Sequence, residues 1–113
     1  TRRLQKVIKI GLIGQPGLKS KLEENENFQV VFDVEGCDAR SSLENIPADV
    51  VITELIMSGE DGFALLEKYR DVKFIVASEL KSEVFVIKAL DLGAKYYLGI
   101  RRVGTKNSQR CRR

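Results

Sequence analysis

Histidine and tryptophan are absent from this 113-residue chain, methionine occurs once, and cysteine occurs twice, at Cys37 and Cys111. Without His, and with two Cys far apart in sequence, the ligand spacing of a zinc site is missing. The same usage argues against a disulfide framework and fits a reducing cytoplasm. No apolar run approaches the ~20 residues that cross a bilayer, which argues against a membrane protein. Residues 1–6 are basic, but an alternating strand pattern follows them in place of a signal-peptide core. What is there is ordinary: 43% hydrophobic and 31% charged residues are the proportions of a soluble globular chain. The length is that of one domain, with enough core to fold without staples.

Charge is unevenly spread. Residues 101–113 hold Arg101, Arg102, Lys106, Arg110, Arg112 and Arg113 and no acid, so taking these six charges from the net +3 leaves the first hundred residues at −3. We therefore expect residues 1–100 as a mildly acidic domain and 101–113 as a basic tail. Nucleic acid could be met only through the tail, with a steep salt dependence. No aromatic residue lies in the tail to stack on bases. A solvated linker, or a contact to an acidic partner, explains the same charges.

Apolar runs alternate with helical spacings along the rest of the chain. Residues 7–13 read as a strand closed by Gly14, Pro16 and Gly17, and Leu18 and Leu22 mark a short helix. Residues 28–34 are rich in aromatic and β-branched side chains and read as a second strand. Ala39, Leu43 and Ile46 lie on one helical face that Pro47 stops. The run 50–53 is too continuously apolar to have a wet face, as in a parallel strand covered on both sides. Phe63, Leu66 and Tyr69 give a third helix, 73–77 a fourth strand, and 83–92 a fourth helix capped by Ser82 and stopped by Gly93. Residues 96–100 form the fifth strand. The order is that of an α/β parallel sheet wrapped on both faces, whose working site lies beyond the carboxyl ends of its strands. Ile13 to Gln15, Glu54, Ser78 and Ile100 are the residues placed there.

Around Glu54 the chain resembles the phosphoacceptor region of response-regulator receiver domains, the CheY-like members of the flavodoxin-type fold. The family has an acceptor Asp, then Met three residues on, Pro four on and Gly eight on; here stand Glu54, Met57, Ser58 and Gly62. The run Phe74-Ile75-Val76-Ala77-Ser78 is similar to the family's fourth strand with its terminal hydroxyl. Leu92-Gly93-Ala94-Lys95-Tyr96-Tyr97-Leu98 resembles its approach to the fifth strand. The resemblance covers about residues 6–101. It implies a five-stranded sheet in the order 2-1-3-4-5 and a role in two-component (phosphorelay) signal transduction.

The resemblance also shows what has changed. In the family, two acids after the first strand join the acceptor in holding Mg²⁺, which wants octahedral oxygen ligands. A lysine after the fifth strand neutralises charge as the phosphoryl group transfers. Aligned on Pro16, the acids' positions hold Ile13 and Gly14, and the lysine's holds Ile100. Of the core set, only the hydroxyl, Ser78, and the switch aromatic, Tyr97, match. Glu54 carries its carboxylate one methylene farther out, and misplacement of about 1 Å can cost ~100-fold in rate. We expect no Mg²⁺ site, no cofactor and no enzymatic activity. Glu54 could be a solvated acid without a role, an imitation of the phosphorylated state that draws Tyr97 inward through Ser78, or a residual acceptor. Tyr97 could equally be a packed strand aromatic, and Ser78 a plain strand-end hydroxyl. Gly14-Gln15-Pro16-Gly17 lacks a nucleotide-binding fingerprint, which disfavours a flavin or nucleotide domain.

A receiver closes with a fifth amphipathic helix. Here residues 101–113 offer Val103 and Cys111 as their clearly apolar side chains, so that helix is expected to be missing or irregular. The fourth helix has too much apolar surface, because Val84, Phe85, Val86 and Ile87 at ~100° each sweep most of its circumference. Phe85, Val86 and Tyr96 are therefore the expected partner surface, unless the tail lies over them. The reading is an atypical, phosphorylation-independent, cytoplasmic receiver. It acts by contact with a protein partner (a histidine kinase, an effector domain or a second copy). The alternatives are a conventional receiver with an unusual acceptor and the regulatory domain of a DNA-binding transcription regulator.

Overall fold

The computed structural model describes residues 6–101. β1 (Ile8–Ile13) leads through α1 (Leu18–Leu22) to β2 (Phe28–Val34). A 3₁₀ turn (Gly36–Asp38) opens into α2 (Ala39–Asn45), and β3 (Val50–Thr53) follows. A two-residue hairpin, β4 (Ile56–Met57) and β5 (Glu60–Asp61), precedes α3 (Gly62–Lys68). β6 (Phe74–Ser78), α4 (Glu83–Asp91) and β7 (Tyr96–Gly99) complete the described chain, so the expected fourth and fifth strands are β6 and β7. Asp61 caps α3 by accepting from the Phe63 N–H at 2.9 Å, and Ser82 caps α4 by accepting from the Val84 N–H at 3.3 Å.

The five long strands form one parallel sheet in the order β2-β1-β3-β6-β7, the expected topology. Its register aligns Ile13 with Thr53, Thr53 with Val76 and Val76 with Tyr97, so these four side chains share a face. On that face Ile13, Val51, Phe74 and Val76 pack with Ala39 of α2, Leu65 and Leu66 of α3 and Ala89 of α4. Right-handed crossovers place α1 on the opposite face, because the path from β1 to β2 runs the other way along the sheet. There Ile10 and Leu12 are buried, whereas Tyr96 and Leu98 at the β7 edge are 66% and 50% exposed. Arg40 of α2 donates from Nε and Nη2 to the two oxygens of Glu60 at 2.8 and 2.9 Å, tying α2 to β5 and holding the Glu60 carboxyl below its usual value.

The expected irregular fifth helix and basic tail, residues 101–113, lie outside the described residues except for Arg101. Cys37 is disulfide-bonded, against the expectation that a disulfide framework is absent, since separation in sequence does not measure approach in space.

Candidate functional site

Glu54 leaves the sheet at the end of β3, where its backbone N–H donates to the Ile13 carbonyl at 3.1 Å. The residue is 8% exposed, and its Oε2 accepts from the Leu55 N–H at 2.9 Å. A freely solvated acid does not fit that burial. Beside it, Gly14 turns the chain with φ +67°, a conformation that side chains other than Gly, Asn and Asp rarely adopt. A Cβ at Gly14 would stand 3.1 Å from the Glu54 Cβ and 3.3 Å from the Met57 Sδ. The stem of Glu54 and the thioether of Met57 thus close around the point where a second acid would begin.

Ile13 is fully buried in the core and offers no oxygen. The three positions that the resemblance assigns to Mg²⁺ therefore supply one carboxylate, and no cluster of three or more His, Cys, Asp or Glu suited to a metal occurs among the described residues. One carboxylate does not fit a cation that dehydrates reluctantly and needs several oxygens in octahedral array.

Ser78 and Tyr97 do come together. Ser78 is buried at the end of β6, and its Oγ accepts from the Leu80 N–H at 3.0 Å. The Tyr97 hydroxyl donates to the Leu80 carbonyl, so the ring lies against the β6–α4 loop. Burial raises the Tyr97 phenol above its ordinary value; the Ser78 hydroxyl pulls it down, and the Glu54 charge pushes it up. Glu54, Ser78 and Tyr97 accordingly form one electrostatic neighbourhood. Ile100, at the lysine's position, contributes only its backbone, donating its N–H to the Ser78 carbonyl at 2.9 Å.

Gln15, placed at the strand ends without a role in the sequence analysis, also belongs to the site. It is 4% exposed, and its Nε2 donates to the Ala77 carbonyl at 3.1 Å. Its position after the β1 turn was a pointer, but nothing in its neighbours names a partner 62 residues away.

On α4 the exposed apolar row lies one step round from the expected one. Phe85 turns inward and stacks on Phe63 with ring centroids 6.2 Å apart, and Val86 is half-buried. Val84 (69% exposed), Ile87 (58%) and Leu90 point outward, and Tyr96 is exposed as anticipated. Burying Phe85 fixes the helix rotation, because its ring is the largest apolar side chain of α4 and covers the most area against α3.

No family model matches the chain. The Fimbriae Z protein of Salmonella typhimurium is 32% identical across 72% of this chain, and the chain spans 41% of that relative's length. Among solved structures, the signal receiver domain of NarL from Mycobacterium tuberculosis superposes with a TM-score of 0.73 at 18% identity, covering 82% of this chain and 83% of its own. RcsB from Salmonella enterica, seen bound to the promoter rprA, gives a TM-score of 0.71 at 24% identity over 80% of this chain and 58% of its own. With the strand order, the Ser78–Tyr97 pair at the strand ends and these superpositions together, the chain has the fold of the response-regulator receiver domains.

Proposed function

We propose that this domain is an atypical receiver that signals by protein contact and does not take up phosphate. The carrying observation is the closed ground around Glu54. Its carboxylate is buried and accepts a backbone N–H, the Gly14 position is walled by the Glu54 stem and Met57, and Ile13 belongs to the core. A phosphoryl acceptor needs a free carboxylate in line with its donor and charge neutralised around it. Neither an acid pair nor a lysine stands at the matching positions. The role is regulatory rather than enzymatic, with no Mg²⁺ or other cofactor. The partner surface is the flank at the β7 edge of the sheet, with Val84, Ile87 and Leu90 exposed on α4 and Tyr96 and Leu98 exposed on the other face of β7. A kinase, an effector domain or a second copy would meet the domain there.

Acetyl phosphate with Mg²⁺, followed by intact mass, tests this on the natural chain and on Glu54→Asp. We expect no added phosphate on the natural chain. Phosphate there would overturn the reading and restore a conventional phosphorelay receiver. Phosphate on Glu54→Asp alone would make Glu54 the decisive block.

A second reading concerns the larger protein. The chain spans 41% of the Fimbriae Z relative, and RcsB is a promoter-bound structure of which the chain also covers only part. This supports a regulatory domain attached to a DNA-binding one. Among the described residues no helix is long and apolar enough to cross a membrane. A cytoplasmic place goes with the signalling role.

A further inference from the structure

The end of β6 and the β6–α4 loop are held from both sides by hydrogen bonds. β1 and β6 are not neighbours in the sheet, because β3 lies between them. The Gln15 side chain, leaving the end of β1, nevertheless reaches the Ala77 carbonyl of β6. It must therefore cross the carboxyl end of β3, where Glu54 departs. The register explains why that carbonyl is available. Thr53 pairs with Val76, so a continued β3 would set residue 54 beside Ala77. Glu54 has left the sheet there, and the Gln15 amide takes the carbonyl that a longer strand would have used. On the other side, the Tyr97 hydroxyl donates to the Leu80 carbonyl and the Ile100 N–H to the Ser78 carbonyl. Within the loop, Ser78 Oγ accepts from the Leu80 N–H. Residues 77–80 are thus fixed between β1 and β7.

We propose that Gln15 is a built-in latch, whose amide, lying across the end of β3, holds the β6–α4 loop in the single setting that keeps Tyr97 turned in. The inference rests on the reading of a receiver that works without phosphate. In that reading the latch supplies from within the chain the restraint that a bound phosphoryl group would otherwise supply. A buried amide that loses its acceptor, or an acceptor that loses its donor, is costly, so the latched setting is strongly favoured.

Amide hydrogen exchange, resolved by NMR on the whole chain without any phosphodonor, tests the latch. Gln15→Ala should speed exchange at Leu80, and at Phe85 and Val86 in the first turn of α4, by about five- to tenfold, the effect of losing one buried hydrogen bond. Val51 in β3 should stay within about twofold of the natural chain, since distant sites are expected to be independent. Gln15→Glu keeps the size but removes the donor, and should behave like Gln15→Ala; it serves if the alanine variant does not fold. Combined with Tyr97→Phe, the effect on Leu80 should fall short of the product of the two single changes, because both groups hold one loop. Unchanged exchange at Leu80, a uniform acceleration that includes Val51, or strictly independent effects in the double variant would each overturn the latch. Phosphate uptake in the labelling experiment would overturn the phosphate-independent role and leave these exchange results to stand by themselves.

Discussion

Gly62, eight residues past Glu54, matches the family motif, and the packing supplies a physical reason for it. A Cβ at Gly62 would lie 2.4 Å from the Glu54 carbonyl oxygen and 2.7 Å from the Leu55 Cα, both backbone atoms with little room to give. Gly62→Ala should therefore lower stability by about 1–3 kcal/mol, the usual effect of overpacking. Equilibrium urea unfolding would read it as a lower midpoint at unchanged slope. Tyr69 offers a second residue-scale test, on pH. Its hydroxyl donates to the Glu44 carboxylate, and burial first, then that bond and the Glu44 charge, push the phenol up to about 12. The unfolded chain releases the same proton near ~10. Between these values the folded state binds more protons than the unfolded one, so its stability must fall as pH rises. The contribution is complete below pH ~10 and lost by about 12. Tyr69→Phe should flatten this alkaline decline in the urea midpoint, and an unchanged decline would show that Tyr69 is not its source.

α4 shows at the scale of an element what an amino-acid pattern can and cannot tell. Its ends were legible, since Ser82 and Gly93 are punctuation with a local mechanism, and the structure uses Ser82 as the cap and Gly93 at φ +116° just past the end. Its rotation was not, because four consecutive apolar residues mark no face of their own. The ring of Phe63 decides it by stacking on Phe85. Phe85→Ala should accordingly cost about 2–4 kcal/mol in urea unfolding, discounted slightly from a fully buried Phe. Ile87→Ala should stay within about 0.5 kcal/mol, as a surface change does. Equal losses at the two positions would mean the helix is rotated otherwise. The same division runs through the fold. Five strands in alternation with four helices could be read from hydrophobic runs because tertiary packing demands them. The hairpin of β4 and β5 could not, because two residues per strand carry no period. Glu54, Ser78 and Tyr97 were located by spacing. The Gln15 bond to Ala77 depends on a fold that brings β1 and β6 to either side of β3, and no local pattern encodes it.

For the molecule as a whole, the test is whether Mg²⁺ is linked to folding. Any ligand that binds only the native state stabilises it by mass action, about 2.7 kcal/mol at one hundred times its dissociation constant. For a domain of this size that is a rise of roughly 10–20 °C in the thermal midpoint. A pocket with one buried, bonded carboxylate and no partner acids should show none of this. The first hundred residues, however, carry a net −3, so a divalent cation will also screen the acidic surface without occupying a site. Screening follows ionic strength, whereas a site follows the identity of the ion. Thermal unfolding in Mg²⁺ should therefore coincide with unfolding in sodium chloride of equal ionic strength, and the two curves should stay together as Mg²⁺ is raised. Gly14→Asp sharpens the comparison. It restores one acid, yet its Cβ would press on the Glu54 Cβ at 3.1 Å and its carboxylate would stand beside the Glu54 charge, so it should lower the midpoint in sodium chloride. With Ile13 still at the other acid position, Mg²⁺ should recover little of that loss. A Mg²⁺-specific rise in the natural chain would show that the pocket holds the ion, and the phosphate-independent reading would fall with it.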